Sequence, residues 1–468
     1  MSGLARLYVW SIVFEPLLFF QLFSQAVVGI GGNLSRMLQL LVVAGLLARL
    51  ALATGSRAGS IRFVRLASPR YANYLTYFVL AVAAGVLGAI SGAYAFAGVA
   101  ATNSSSVAAG FLNSASIRPV FEYVIAAYYF IYFAILPQYF LTSQRSISYF
   151  FRTFRAMFIV VLVTGAVGLV LAAAGTDLLP RALTEQTYVG ARFHGVAGEP
   201  RDAFVYLFFA LAVLHLQAFY RAQRLNRWWI AVAATAAMLT QSLSGMIGLA
   251  IFVGLYGLYA LPSMGVKRVS QLLGVSTLVV VLGYATVVNS PRMMLYFEAA
   301  SGMWSVLESG VALPPVMAQQ VSNLFPLYDL FVKVRNFEWL PVLMGSGLGS
   351  ASAVNTYYVD AIAEVSNPQS QLVRTLYESG IIGTIFLTTA FTRPVKHVTR
   401  RLSAKQRNEF LVLTLLLIGS FFAHRSSTVF IYVGIVIAVF RYRDRGGATP
   451  TSGRSSVRGP GPDMVPVG

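Results

Sequence analysis

The chain contains no cysteine among its 468 residues and only four histidines. The missing thiols exclude disulfide bonds, thiolate catalysis and metal sites built on cysteine. Four scattered histidines argue against a metal site built on imidazole, so no metal and no cofactor are expected. Charge is also scarce, since 11% of residues are charged against roughly 25% in a soluble domain. With 57% hydrophobic residues and a mean hydropathy of +0.69, the composition predicts a polytopic membrane protein.

Acidic residues are few, and the net charge is +19. In a soluble protein this charge would indicate nucleic-acid binding. In a membrane protein it follows from the enrichment of Lys and Arg in cytoplasmic loops. We therefore expect the lipid bilayer, and no nucleic acid, as a partner. The first apolar run is not followed by a small-residue cleavage site, so we interpret it as a retained helix.

Long apolar runs predict the fold class. A spanning helix needs roughly 20 apolar residues, and on that rule the chain is an all-α, polytopic integral membrane bundle of about 12 transmembrane helices. Residues 1–443 form one membrane domain, and residues 444–468, rich in Gly, Pro, Ser and Arg, form a disordered cytoplasmic tail. The predicted spans lie near residues 8–30, 34–54, 73–97, 119–142, 156–176, 202–220, 228–242, 245–262, 271–289, 376–392, 409–423 and 428–441.

The charge of the loops predicts the topology. Most Lys and Arg residues fall in every second loop, counted from the N-terminus. Because Lys and Arg are enriched in cytoplasmic loops, this pattern predicts that both termini lie in the cytoplasm. The largest polar segment, about 290–375, then faces outwards, towards the periplasm of a Gram-negative cell. Apolar residues recur in it at helical spacing and predict an amphipathic helix resting on the bundle or on the membrane surface: Met317, Val321, Leu324, Tyr328 and Phe331.

Two arginines flank a predicted helix start in the external segment 192–202. Pro200 suits the first turn of a helix, and a helix N-terminus with Arg192 and Arg201 nearby favours an anion such as a diphosphate. The alternative is that these arginines pair with neighbouring carboxylates such as Glu199.

A glycine-rich turn follows Arg335 in the large external segment. Gly345, Gly347 and Gly349 allow a tight turn and a close approach of the backbone. The Lys-Ser/Thr ending of a phosphate-binding loop is missing, so the pattern indicates a turn more than a phosphate site.

Polar residues also lie where the next apolar helix begins. Gln371, Arg374 and Glu378 share one helix face, and polar groups at that depth usually face a cavity. The alternative is that Arg374 and Glu378 neutralise each other near the edge of the bilayer. His424 and Arg425, in the turn between the last two spans, could reach the same cavity.

In the late external segment, Gln369 and Ser370 are followed, after nine residues, by Gly380 and then Gly383. This pattern resembles the O-antigen polymerase and O-antigen ligase superfamily. The ligases carry His, a polar residue and the same glycine spacing. Because glutamine replaces the histidine that is expected to activate the acceptor in ligases, the polymerase is favoured.

Two earlier segments add to this resemblance, which covers roughly residues 190–440. Residues 192–202 are similar to an external Arg-x-x-Gly…Pro segment of the family. Residues 240–245 are similar to its Ser-Arg-Ser/Thr-Gly turn, with Leu243 where an arginine is common.

The resemblance implies a metal-independent glycosyltransferase in the bacterial inner membrane. The donor would be a glycan on undecaprenyl diphosphate, and the acceptor a second lipid-linked repeat unit. A polysaccharide chain-length regulator in the same membrane is a further expected partner. An O-antigen ligase acting on lipid A–core and a lipid-linked oligosaccharide flippase or transporter stay open as alternatives. The long external loop and the lack of symmetric halves argue against a transporter.

The implied chemistry assigns roles to the polar residues. Cations stabilise the leaving diphosphate, and a base takes the proton of the attacking hydroxyl. The expected catalytic residues are Arg192, Arg335, Glu199, Glu378 and His424. The residues expected to bind diphosphate or glycan are Arg201, Arg374, Gln369, Gln371, His194 and Arg425. For the two histidines the alternative is an ordinary hydrogen-bonded surface or core residue.

Overall fold

A computed structural model describes residues 1–17, 34–55, 71–92, 117–176, 192–260, 325–351 and 370–445, together with residues 270, 274, 277, 281 and 354. All regular structure within these ranges is helical. A π-helical turn, Phe130–Ile135, joins α4 to α5, and a 3₁₀ turn, Gly195–Ala197, precedes α7. The α-helices are α1 Gly3–Phe14, α2 Leu34–Gly55, α3 Ala72–Ile90, α4 Ile117–Tyr129, α5 Pro137–Phe140, α6 Gln144–Ala173, α7 Pro200–Tyr220, α8 Arg227–Leu239, α9 Leu243–Ala260, α10 Phe325–Arg335, α11 Trp339–Met344, α12 Gln371–Val398, α13 Ala404–Ala423 and α14 Thr428–Asp444.

Several of these helices have the length and composition of membrane spans. Within the described ranges, five stretches are long and apolar enough to cross a membrane: Leu34–Leu52, Ala72–Ile90, Pro119–Phe140, Gln144–Ala173 and Pro200–Tyr220. Their outer surfaces expose large apolar side chains such as Leu40, Val79 and Val170. Such surfaces fit lipid better than water. The helices therefore indicate a membrane protein.

A helix lies in the described part of each predicted span, and the largest difference in a boundary is at the predicted start of α6. The predicted start at residue 156 is wrong, because α6 begins at Gln144. Ser143 and Ser146 form a capping box there, and Phe150 and Phe154 are buried while Arg152 and Arg155 are exposed. Most of the predicted span 271–289, Gln369 and the tail beyond residue 445 lie outside the described residues.

The C-terminal helix α14 forms the centre of the bundle. Its residues from Thr428 to Phe440 are all buried. It packs against α7, α12, α13 and the π-helical turn. Because α14 is fixed along its whole length, it also fixes the turn that precedes it, which carries His424 and Arg425.

Polar residues near the helix termini form two groups, which lie at opposite ends of α12. One group contains Glu15, Glu122, Asp202 and Arg374, and contacts described below join its members. At the opposite end, Arg441 donates to Gln138 (2.5 Å) and Arg401 lies 3.7 Å from Asp444, among other hydrogen bonds and ion pairs. We call these the network end and the basic end.

Candidate functional site

Arg374 of α12 lies at the centre of a buried cluster of charges. Its Nη2 lies 2.8 Å from Oε2 of Glu122 on α4, and its Nε donates to Oε1 of Glu378 over 3.0 Å. Oε2 of Glu122 also accepts from Nη1 of Arg425 (3.4 Å). Arg374, Glu378 and Glu122 are all buried. Buried charges are costly unless they are paired, so each of these groups depends on the others.

A second cluster adjoins the first through Tyr129. Nη2 of Arg36 donates to Oε1 of Glu15 (3.0 Å), whose Oε2 accepts from Ser35 (2.5 Å) and Gln39 (2.6 Å). The guanidinium carbons of Arg36 and Arg425 each lie 5.6 Å from the centre of the Tyr129 ring, within cation–π distance. We call Glu15, Arg36, Glu122, Arg374, Glu378 and Arg425 together the ion-pair network.

The ion-pair network contains three arginines and three glutamates, so its formal charge is zero. Arg374 is fully enclosed, whereas the side chain of Arg36 is 37% exposed and that of Arg425 is 30% exposed. These two arginines are therefore the members of the network that an anionic ligand can reach.

The glycine-rich turn forms, and it packs against a break in α12. Gly380 has φ 66° and ψ −174°, which interrupts the helix next to Glu378. The backbone N–H of Ser346 donates to the carbonyl of Tyr377 (2.9 Å), and that of Gly347 to the carbonyl of Glu378 (2.8 Å). The N–H of Gly349 donates to Oε1 of Glu378 (2.9 Å). The turn thus fixes the carboxylate that holds Arg374.

Gly380→Ala is expected to destabilise the protein by roughly 2–4 kcal/mol, from the strain of a positive φ and from overpacking. An added Cβ would overlap the carbonyl of Leu343 and lie 2.6 Å from the nitrogen of Gly345. Gly254→Ala in α9 is the control, since nothing lies within 4 Å of its added Cβ. Thermal unfolding in detergent should show a loss for the first variant and no loss for the second. Equal effects would contradict the close packing at Gly380.

The segment 192–202 lies against the turn between α8 and α9. Nη2 of Arg192 donates to the carbonyl of Gln241 (2.9 Å), and the N–H of Phe193 to that of Leu239 (3.0 Å). Two segments that the family resemblance singled out are therefore in contact. Nε of Arg201 lies 2.5 Å from Oε2 of Glu199, which agrees with the predicted alternative of a local ion pair.

His424 connects this segment to the ion-pair network. Its Nε2 lies 3.1 Å from Oδ1 of Asp202, and its sequence neighbour is Arg425. Its Nδ1 is buried and has no hydrogen-bond partner within the described residues. An imidazole with one nitrogen held by a carboxylate has the other available to accept a proton. The arrangement is that of an oriented base.

Three further residues predicted to bind the substrate belong to the segments before α7 and at the start of α12. Nε2 of Gln371 donates to Oγ1 of Thr375 (3.2 Å), one helical turn away. His194 is half-buried just before the 3₁₀ turn. Gln369 lies outside the described residues, while Ser370 next to it caps α12 and donates to the carbonyl of Phe422 (3.2 Å).

The described part of the predicted amphipathic helix is α10. Its polar side chains face the bundle: Nζ of Lys333 lies 2.8 Å from Oδ2 of Asp329 and 3.1 Å from the hydroxyl of Tyr377. Phe325 at its start is buried, but Leu327, Phe331 and Val334 point outwards. This exposed apolar surface continues with Phe337 (79% exposed) and into α11 with Trp339, Leu340 and Leu343. Arg335 is exposed beside this surface.

The structure thus brings together Arg374, Glu378, His424 and Arg425 at the network end. Sequence reasoning did not assign Arg36, Glu122, Tyr129 or Asp202 to the site. The signal for Glu122 was present, because a charged residue inside a predicted span is a functional candidate whose partner must be sought. The described residues contain no group of three or more His, Asp or Glu side chains that could hold a metal ion.

No protein-family model matches this chain, and no curated protein matches it either. The resemblance to the O-antigen polymerases and ligases is therefore an expectation that depends on short sequence motifs alone.

Proposed function

We propose that the protein is an O-antigen polymerase, a membrane glycosyltransferase that joins undecaprenyl-diphosphate-linked repeat units. The strongest support is that three predicted external segments meet at one end of the helical bundle. These segments are 192–202, 370–378 and 424–425, and their residues contact one another or their direct neighbours. The glycines of the family-like spacing lie in the same place, with Gly380 at the break in α12.

In this proposal the chain crosses the bacterial inner membrane about 12 times. The network end faces the periplasm and both termini lie in the cytoplasm. The distribution of charge supports this orientation, because arginines and lysines without buried partners accumulate at the basic end, as expected for the cytoplasmic side.

The reaction transfers a glycan from one lipid to another. A hydroxyl on the non-reducing-end sugar of the acceptor attacks the anomeric carbon of the donor, and the bond from that carbon to the diphosphate breaks. Undecaprenyl diphosphate leaves, and its negative charge is stabilised by cations positioned in advance. Arg192, Arg335 and Arg425 supply this charge together with Arg36. Arg374 holds Glu122 and Glu378 in place and does not contact the ligand.

His424 is the group best placed to take the proton of the attacking hydroxyl. Asp202 orients it and favours the tautomer that leaves Nδ1 unprotonated. Glu378 already accepts hydrogen bonds from Arg374 and Gly349, and Glu199 is paired with Arg201. These two carboxylates are weaker candidates, because one oxygen of each is already engaged.

In this proposal Arg335 lies at the level of the lipid head groups, and the exposed aromatic side chains of α10 and α11 beside it support this. Tryptophan and arginine favour this boundary, and the diphosphate of the donor lies at the same depth. Arg335→Ala should therefore lower polymerisation about 10- to 100-fold, since hydrogen bonds to charged groups contribute roughly 1.5–3 kcal/mol.

The test compares purified variants that elongate a synthetic lipid-linked repeat unit. Arg335→Lys should retain part of the activity, because it keeps the charge but loses the planar guanidinium. Arg445→Ala removes one exposed cation at the basic end and should have no effect. Full activity of Arg335→Ala would refute the role of Arg335 in binding the diphosphate.

A further inference from the structure

A cavity of about 760 Å³ lies at the basic end, between α7, α8 and α13. Cavities of roughly 300–1,000 Å³ accommodate organic ligands. Phe219 lines the cavity, and Asp202 belongs to the network end of the same helix. At 1.5 Å per residue these two positions are about 25 Å apart along α7. The cavity is therefore separate from the proposed transferase site.

The lining of the cavity changes from apolar to cationic along the helix axes. Leu211 on α7 and Leu413 on α13 lie on the side towards the middle of the bundle. Arg224, in the loop after α7, and Lys405, in the first turn of α13, line the outer part and are exposed. About 12 Å separates Lys405 from Leu413 along α13, so the two regions follow one another along the axis of the bundle.

A polar pair lies between these two regions. Nε2 of His215 is buried and has no hydrogen-bond partner among the described residues. Oε2 of Glu409 lies 3.7 Å from it, which is beyond hydrogen-bonding distance. The histidine ring packs edge-on against Phe410, with 5.2 Å between the ring centres. A ligand atom that accepts a hydrogen bond would satisfy Nε2 at this level.

We propose that this cavity binds one anionic phospholipid of the cytoplasmic leaflet. Arg224 and Lys405 bind the phosphate, His215 donates to an ester carbonyl, and an acyl chain lies along Leu211 and Leu413. The proposal goes beyond the transferase function and depends on the placement of the bundle in a membrane, with the basic end towards the cytoplasm as proposed above.

Two observations favour a lipid over a soluble anion. The first is the apolar inner part, which a soluble phosphate would leave unfilled. The second is the continuity of the cavity with the outer surface of the bundle: Ile230 lines the cavity and is 45% exposed, and its neighbour Trp228 is exposed as well. Basic pockets between spanning helices on the cytoplasmic side suit anionic lipid head groups.

The test measures lipid binding to the delipidated full-length protein by native mass spectrometry. Phosphatidylglycerol should bind as a single copy and more tightly than phosphatidylcholine with the same chains. Arg224→Ala combined with Lys405→Ala should weaken its binding about 25-fold, since each interfacial cation contributes roughly fivefold. The control combines Arg227→Ala with Arg407→Ala, which removes the same charge from exposed neighbours that do not line the cavity. Its affinity should stay within about threefold of the unchanged protein.

Leu413→Trp fills the inner part and should weaken phosphatidylglycerol binding while leaving the cations in place. Equal losses in the two double variants would overturn the proposal, as would equal binding of the two lipids. Because none of these residues belongs to the network end, the outcome is independent of whether the protein polymerises glycans.

Discussion

Arg374→Met is expected to lower the free energy of unfolding by about 3–5 kcal/mol, the usual cost of removing one partner from a buried ion pair. The substitution removes the cation from Glu378 and the shorter of the two ion pairs from Glu122, which keeps its contact to Arg425. Methionine fills a similar volume, so the loss reports charge more than packing. Unfolding in mixed micelles, followed by loss of helical signal, measures it.

A charge-balanced double variant is the control for this prediction. Arg374→Met combined with Glu378→Gln leaves the pairs Arg36–Glu15 and Arg425–Glu122, and the formal charge returns to zero. Replacing a buried pair by neutral residues is often tolerated, so the double variant should recover most of the lost stability. A double variant less stable than Arg374→Met would show that Glu378 acts mainly through Gly349 and the glycine-rich turn.

His424→Ala is expected to lower the rate of polymerisation by about 10²- to 10⁴-fold, the range for loss of a general base. Stability should change little, because the described structure gives the ring one side-chain partner, Asp202, and no stacked aromatic neighbour. Asp202→Asn should also lower the rate, since the amide no longer favours the tautomer with a free Nδ1. Initial rates with a saturating lipid-linked repeat unit provide the measurement.

The control for His424 is His397→Ala. His397 is also half-buried, but it lies near the end of α12 on the opposite side of the bundle. Its replacement should leave the rate unchanged. If His424→Ala retained full activity, the base would have to be sought among Glu199 and Glu378, the other two candidates.

The positions of the helices could be predicted from the sequence to within a few residues in most cases. α2 and α7 match their predicted spans closely, because the length of an apolar run is set by the thickness of the bilayer. The start of α6 could not be predicted from apolar length. Arginines at 145, 152 and 155 resemble a loop in composition, yet long cationic side chains tolerate a helix that extends past the membrane.

In the site, contacts within one helix could be predicted from the sequence, whereas contacts between distant segments could not. The pairing of Arg374 with Glu378 is confirmed, and it was predictable because residues four apart share a helix face. The pairing of Arg374 with Glu122 was not, because nothing in the sequence states that α4 packs beside α12. Nothing in the sequence states that the turn before α14 lies beside α7 either, and only the fold brings His424 to Asp202.

The most direct test of the proposed function uses the purified protein, a synthetic undecaprenyl-diphosphate-linked repeat unit and no added metal. We expect products separated by size to form a ladder of multiples of the repeat unit. Transfer that occurs only after lipid A–core is added would identify a ligase instead. The absence of both products, with a substrate that a known polymerase elongates, would contradict the transferase assignment and favour a flippase.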